Sequence, residues 1–271
     1  MAAPLQQEES SGMFCNVDGL SRSKLNEITD IADRNKNLLF IFAAEIKQQK
    51  GIRSMDFDID GFTCTENLRE SSQTGGIVLW TRDLTGKAIL PWSGLRGTPQ
   101  SIESERSWVL VNEQHTRFAC CGVYLRVESP KSSDLFKSNV TLLEHLEKEK
   151  AQLESEGYIV GFFGDFNARI EPNPNFQFSN YPHVANNNGR LLMDFAKRNQ
   201  LHCLNPLTWK GKKEGKFTYS RDMGQNMHQS IIDYALAPTE AIRFTTSFSV
   251  QVVTFNSAYL LFPPFFFIQD Y

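Results

Sequence analysis

The stretch LLFIFAAEIK, residues 38–47, constrains the architecture more than any other. An unbroken apolar run of strand length, closing on Glu45, has no polar face to turn to solvent, so it suits a strand covered on both sides. Further strand-length runs are GGIVLWTR, SWVLVN, RFACCGVYLR, YIVGFFGDFN, SIIDYALAP and FSVQVVTF. Helical patterns lie between them. In SKLNEITDIADRNK, Leu25, Ile28 and Ala32 fall on one face, with Ser21 or Ser23 available as a cap. SDLFKSNVTLLEHLEKEKAQLESEG is long, charged on its outer side and stops at Gly157, while NGRLLMDFAKRNQ is predicted to bury Leu191, Leu192 and Phe195. The neighbouring runs at 107–112 and 117–126 imply an antiparallel hairpin. Strands dominate and helices intervene, which favours a two-layer β core with helices outside over a doubly wound parallel sheet.

A chain of 271 residues with no repeat and no Pro/Gly/Ser linker is expected to form one domain over residues 13–255. Residues 1–12 read as a flexible tail and 256–271 as an atypical apolar end segment. The formal net charge of -3 excludes a wholesale polycation, so a nucleic-acid substrate needs a local basic patch. The cysteines (Cys15, Cys64, Cys120, Cys121, Cys203) show neither CxxC nor zinc spacing and read as buried free thiols of a reducing compartment. The opening MAAPLQQEESSG lacks the features of a secretion signal, and LLFPPFFFIQDY is too short to span a bilayer. These features point to an intracellular chain, in nucleus or cytoplasm, with no membrane association and no protein partner implied.

Several apolar strands finish on an acid, amide or hydroxyl: CNVDG (Asn16, Asp18), AAEIK (Glu45, Lys47), GVYLR (Tyr124), GDFNA (Asp165, Asn167) and SIIDY (Asp233). Residues two apart on a strand share a face, so Asn16 with Asp18, and Asp165 with Asn167, are expected to present paired polar groups to one cleft. Taken singly, such residues are more often turn formers or solvated strand ends. Asp233 stands apart, because a charge inside an apolar strand needs a partner or a metal. Hard oxygen ligands without a His/Cys cluster point to Mg²⁺, with Mn²⁺ as a substitute, a cation that keeps most of its waters and takes one or two carboxylates. Glu45 is the main candidate ligand, with Asp18 assisting. Asp165 is the candidate to hold a water in line, Asn16 and Asn167 to donate to the non-bridging oxygens of a phosphate, and Tyr124 to donate to the same group. These roles belong to metal-assisted phosphoryl-ester cleavage.

In order along the chain, NVDGL, AEIK, GDFNA and SIIDYAL resemble the motifs of the endonuclease/exonuclease/phosphatase superfamily, which includes DNase I and the apurinic/apyrimidinic endonucleases. The stretch GDFNARI…NNNGRLLMDFAKRNQLHCLNP…FTY…SIIDYAL is most similar to the endonuclease domains of non-LTR retrotransposons, and the resemblance runs from residue 12 to residue 240. It implies a DNase I-like four-layer α/β sandwich, two mostly antiparallel sheets flanked by helices, with the site between the tops of the sheets. By the same resemblance Asn16 and Asp18 help to position metal and phosphate, Glu45 binds Mg²⁺, and Tyr124 contacts the scissile phosphate. Asp165 and Asn167 hold nucleophile and transition state, and Asp233 orients a catalytic histidine. In the family that histidine belongs to a Ser-Asp-His motif after a strand like FSVQVVTF. Here the text continues NSAYLLFPPFFFIQDY, as a frameshift, retained intron or decayed element would leave it. His228 is the one candidate substitute, and His115, His145, His183 and His202 read as surface or loop residues.

The segment NPLTWKGKKEGKFTYSRDMG sets Lys210, Lys212, Lys213, Lys216 and Arg221 among Trp209, Phe217 and Tyr219. Such a loop neutralises phosphates and stacks on bases, which makes DNA the expected partner; the same pattern also suits a solvated hairpin with lysines guarding its edge. Lys47, with Lys50 and Arg53, forms a second basic group. Three readings stay open: a Mg²⁺-dependent DNA endonuclease of retroelement type weakened by the missing histidine, a non-catalytic relic that keeps the fold and binds DNA, and a hydrolase of abasic sites or small phosphoesters. No reverse-transcriptase segment is present in the chain.

Overall fold

The computed structural model describes residues 10–48, 56–70, 75–84, 88–113, 116–127, 133–170, 185–205, 208–209, 212–213, 219–222, 227–244, 249–252 and 258–262, with backbone alone for 208–209, 212–213, 219–222, 227–230, 243–244, 249–252 and 258–262. The chain runs β1 (Ser11–Asn16), α1 (Arg22–Arg34), β2 (Leu38–Ala44), β3 (Phe62–Asn67), β4 (Ile77–Arg82), β5 (Ala88–Trp92), α2 (Gln100–Glu103), β6 (Arg106–Glu113), β7 (Thr116–Tyr124) and α3 (Ser133–Ser155). It continues β8 (Ile159–Asp165), α4 (Asn187–Arg198), β9 (His202–Cys203), β10 (Thr208–Trp209), β11 (Lys212–Lys213), β12 (Tyr219–Asp222), β13 (Met227–Ser230), β14 (Asp233–Ala237), α5 (Thr239–Phe244), β15 (Ser249–Val252) and β16 (Ala258–Phe262).

Two six-stranded sheets form the centre, in the orders β15-β16-β1-β2-β4-β3 and β5-β6-β7-β8-β14-β9. Each is mostly antiparallel and contains one parallel pair, β1 with β2 and β7 with β8. Parallel neighbours need a crossover, and α1 and α3 supply them. Every residue of β2 is buried, as its unbroken apolar run requires. Its inward side chains Phe40 and Phe42 join Phe14 and Leu79 against Val109, Phe118, Cys120 and Phe163 of the second sheet.

Helices cover both outer faces. Leu25, Ile28 and Ala32 of α1 pack on Met13, Ile41, Val78 and Trp80, and the hydroxyl of Ser21 accepts from the Lys24 amide to cap the helix. Leu142, Leu146 and Leu153 of α3, with Leu192 and Phe195 of α4, cover Trp108, Cys121 and Phe162. Leu191 is only partly buried, and Ala196 takes the inner position beside Phe195. The result is a four-layer α/β sandwich. Among the described residues no helix is long and apolar enough to cross a membrane.

One histidine departs from the sequence reading. His145 is not a surface or loop residue: it lies on α3, with its side chain 15% exposed, and its Nε2 sits 3.4 Å from Glu149 Oε1. Glu149 itself is fully buried, accepting from Arg106 at 2.6 Å and from the Trp108 indole at 2.8 Å. A buried carboxylate needs such partners, and they draw the histidine inward. His202 is exposed in β9 beside Thr239, while His115 and His183 fall outside the described residues.

The parallel pairs end at matching heights. β1 and β2 stop at Asn16 and Ala44, and β7 and β8 stop at Tyr124 and Asp165. β14, running the other way, begins at Asp233 opposite Asp165. β16 pairs with β1 so that Tyr259 faces Cys15, which brings the start of β16 to the end of β1.

Candidate active site

The upper rims of the two sheets are tied together by side chains from distant parts of the chain. Asn16 Nδ2 at the end of β1 donates to Asp165 Oδ2 at the end of β8, at 2.6 Å. The Tyr124 hydroxyl at the end of β7 donates to Glu45 Oε1, one residue beyond β2. Sheet register alone sets Tyr124, Asp165 and Asp233 in one row, since Asp165 pairs with Tyr124 on one side and with Asp233 on the other. Asp165 and Asp233 are both nearly inaccessible.

The expectation that Asp18 and Asn167 share a face with Asn16 and Asp165 is corrected. The strands stop at Asn16 and Asp165, and the residues two further on have φ of 42° and 45°. Alternation holds only while the chain stays extended. Asp18 instead lies 65% exposed at the rim, where it takes the Lys47 ammonium on Oδ1. The Asn167 amide N–H donates back to Asp165 Oδ1 at 2.8 Å, and Asn167 Nδ2 donates to Leu125 O at 2.8 Å.

Left-handed backbone is concentrated here. Of the five non-glycine residues with positive φ among the described residues, Asp18, Glu45, Lys47 and Asn167 belong to this rim. A left-handed glutamate or lysine costs roughly 1–2 kcal/mol and persists where surrounding contacts impose it. Those contacts are visible: Gly19 N donates to Glu45 O at 2.7 Å, and Lys47 N to Gly75 O at 2.9 Å. The turn at Glu45 breaks the alternation of β2 and lets its carboxylate meet Tyr124.

Burial pushes the Asp165 carboxyl up to about 7, and the nearby Glu45 charge adds to this, against the lowering effect of the Asn167 and Asn16 hydrogen bonds. Burial also raises the Tyr124 phenol far above its ordinary value, reinforced by Glu45 and Asp165, so it stays protonated and able to donate. The hydrogen bond with Lys47 lowers Asp18, and the same contact raises Lys47.

A stability effect follows for the metal-free protein. Because the folded state holds the Asp165 proton more tightly than the unfolded chain, this carboxyl contributes most stability below the ordinary carboxylate value of 3.8, and that contribution is lost as pH rises towards 7. The loss is about 4 kcal/mol at most. In EDTA, the melting temperature of the wild type should fall from pH 5 to pH 8 by several degrees more than that of Asp165→Asn. Parallel pH profiles of the two proteins in thermal melts would overturn the assignment.

The donor set suits an oxygen-preferring cation with a largely aqueous shell. Among the described residues no three carboxylate, thiol or imidazole groups converge, so a cage of protein ligands is absent there. Glu45 is a partly exposed carboxylate at the rim, and one such ligand with waters is what Mg²⁺ commonly takes.

Several solved structures share this architecture. The endonuclease domain of TRAS1, a telomere-specific non-LTR retrotransposon, matches with a TM-score of 0.68 and 13% identity over 96% of this chain and 100% of that one. The catalytic domain of Xenopus laevis APE2 matches at 0.70 and 14% identity, over 96% and 94%. The 3'-5' exonuclease NExo of Neisseria meningitidis matches at 0.69 and 15%, over 95% and 100%. The chain has a DNase I-like fold. At these identities the likeness is one of fold. No family model matches the sequence, and no curated protein is similar to it.

On this DNase I-like frame the nucleic-acid candidates are placed unevenly. Lys47 is at the rim. Trp209 lies on β10, Lys212 and Lys213 on β11, Tyr219 and Arg221 on β12, with their side chains outside what is described. Lys50, Arg53, Lys210, Lys216 and Phe217 lie outside the described residues. The β12–β13 ribbon pairs Arg221 with His228, five residues before Asp233 at the start of β14.

Sequence reading missed several supporting asparagines. Asn205 Nδ2 donates to Asp233 O and its Oδ1 accepts from Ala235 N, both at 2.9 Å, which fixes the start of β14. Asn139, Asn186 and Asn188 hold the exits of β7 and β8. The run Asn186-Asn187-Asn188-Gly189 before an apolar helix was the available signal, visible as a helix start but not as a clamp.

Proposed function

We propose that this chain is a divalent-metal-dependent phosphodiesterase acting on DNA, of retroelement endonuclease type, with turnover lowered by the absence of the Ser-Asp-His histidine. The observation that carries the reading is the meeting of Asn16, Glu45, Tyr124 and Asp165, from the ends of four different strands, around one partly buried rim. The fold likeness to the TRAS1 endonuclease domain and the basic segment 208–221 support DNA and a retroelement origin.

Glu45, with waters and Asp18 at the edge, would hold Mg²⁺, or Mn²⁺ in its place. The ion would neutralise charge building on the phosphate. Asp165, buried and poised near neutrality, accepts the proton of an attacking water. Asn16 has a second Nδ2–H to offer a non-bridging oxygen, and Tyr124 stays protonated with its one O–H on Glu45, which orients that carboxylate. Asn167 acts less as a phosphate donor than as a lock, with its backbone N–H on Asp165 and its carboxamide on Leu125.

The second reading, a DNA-binding relic without turnover, is favoured by the segment Val253-Thr254-Phe255-Asn256-Ser257-Ala258, which follows β15 and carries no histidine. Supercoiled-plasmid nicking with Mg²⁺ or EDTA separates the two. Mg²⁺-dependent nicking that drops at least about 100-fold in Glu45→Ala is the expected result. Salt-sensitive DNA binding with equal, background nicking in wild type and Glu45→Ala would leave only the relic.

A further inference from the structure

The exits of β7 and β8, which carry Tyr124 and Asp165, are tied to each other through Leu125 N to Asp165 O at 2.9 Å and Asn167 Nδ2 to Leu125 O at 2.8 Å. A set of carboxamides from α3 and the start of α4 holds both exits from outside. Asn188, fully buried, donates from Nδ2 to Arg126 O at 3.0 Å and to Phe166 O at 3.2 Å, so one side chain bridges both strand exits. Asn139 of α3 donates to Asn188 Oδ1 and to Arg126 O, both at 2.9 Å, and accepts from Arg126 N at 3.1 Å.

Asn186 acts on the other side of the turn. Its Oδ1 accepts from Arg169 N and Gly189 N, each at 2.8 Å, and its Nδ2 donates to Asn167 O at 2.8 Å. Asn167 is left-handed, and its N–H in turn reaches Asp165 Oδ1. The start of α4 is pressed tightly against this turn: a Cβ at Gly189 would lie 1.9 Å from Arg169 O. The capping oxygen and the positioning N–H therefore sit on one carboxamide, and the two jobs can be separated chemically.

We propose that Asn186 and Asn188 are positioning residues of the candidate active site: anchored at the start of α4, they impose the left-handed turn at Asn167 and so fix where the Asp165 carboxylate points. The catalytic part of this inference rests on the phosphodiesterase reading; the positioning part does not. Helix capping alone does not account for the contacts, since a cap needs only the Oδ1 acceptor and not the N–H given to Asn167.

Asn186→Asp tests the separation. It keeps the capping oxygen and removes the donor to Asn167 O. Hydrogen–deuterium exchange in the full chain should show the Asn167 amide exchanging about tenfold faster or more, with the amides of α4 beyond its first turn and the melting temperature essentially unchanged. Asn186→Ser, an uncharged cap too short to reach Asn167 O, should behave alike. In nicking assays both variants should lose about 10- to 100-fold in kcat with KM within about twofold, the pattern of misplacement rather than lost binding. Unchanged exchange at Asn167 in both variants overturns the proposal, as does faster exchange spread over the whole of α4, which would mark a cap and nothing more. If the wild type shows no Mg²⁺-dependent nicking, the phosphodiesterase reading fails, and the exchange pattern still decides whether the turn is held from Asn186.

Discussion

Asp165→Ala should lower Mg²⁺-dependent plasmid nicking by about 100- to 10,000-fold, the range expected when a positioned general base is removed. The carboxyl is buried, on a residue paired with Tyr124 and Asp233 in one sheet row, and its charge is repelled by Glu45, so it binds a proton far more readily than a free aspartate. A base of this kind takes a proton from water near neutral pH without being inert above it. The wild-type rate should climb about tenfold per pH unit along the acid limb, with a midpoint at or below about 7, because a bound cation favours the ionised carboxylate. Asp165→Asn should remove that limb. The same substitution removes a buried charge, so its stability at alkaline pH should hold up better than that of the wild type while its activity falls. Opposite signs in activity and stability are the mark of a group kept for chemistry. Nicking by Asp165→Ala within threefold of wild type would remove Asp165 from the mechanism.

Gly164→Ala should be among the most damaging single-methyl changes in the chain. Val123 of β7 pairs with Gly164 of β8, and a Cβ on Gly164 would lie 2.1 Å from Val123 O and 2.9 Å from Val123 C. Both obstacles are backbone, so no side chain can rotate away, and the parallel pair must separate next to Tyr124 and Asp165. A cost of about 3 kcal/mol or more is expected, or a fall in melting temperature of roughly 6–12 °C. Gly161, in the same strand, provides the control. A Cβ there would meet the Phe163 ring at 3.3 Å, and a ring can give way. Gly161→Ala should therefore melt well above Gly164→Ala. Equal melting temperatures for the two variants would show that β8 does not approach β7 as closely as the register requires.

The short text GDFNA thus carries two different demands. Gly164 answers to backbone spacing and Asp165 to chemistry, and neither is visible in composition. Reading along the chain, the unbroken apolar run of β2 and the amphipathic α1 and α3 were legible because burial repeats with the period of the element. The polar strand ends at Asn16, Glu45, Tyr124, Asp165 and Asp233 were legible because each interrupts an apolar pattern.

What the chain alone could not state was how those ends face one another. Strand alternation predicted that Asp18 and Asn167 would point with their neighbours, yet both lie past the last extended residue, in left-handed turns held from elsewhere. His145 looked like a surface residue because nothing near it in sequence announces the buried Glu149 network it joins. Local periodicity thus determined the elements, the apolar layers and the list of polar candidates. The tertiary structure decided which candidates meet, through parallel crossovers that bring the ends of β1, β2, β7 and β8 to one rim, and through asparagines distant in sequence that set the turn after β8. The physical reason is that hydrogen bonds across sheets and between loops depend on register and chain reversal, and these are properties of the whole packed chain rather than of any short stretch of it.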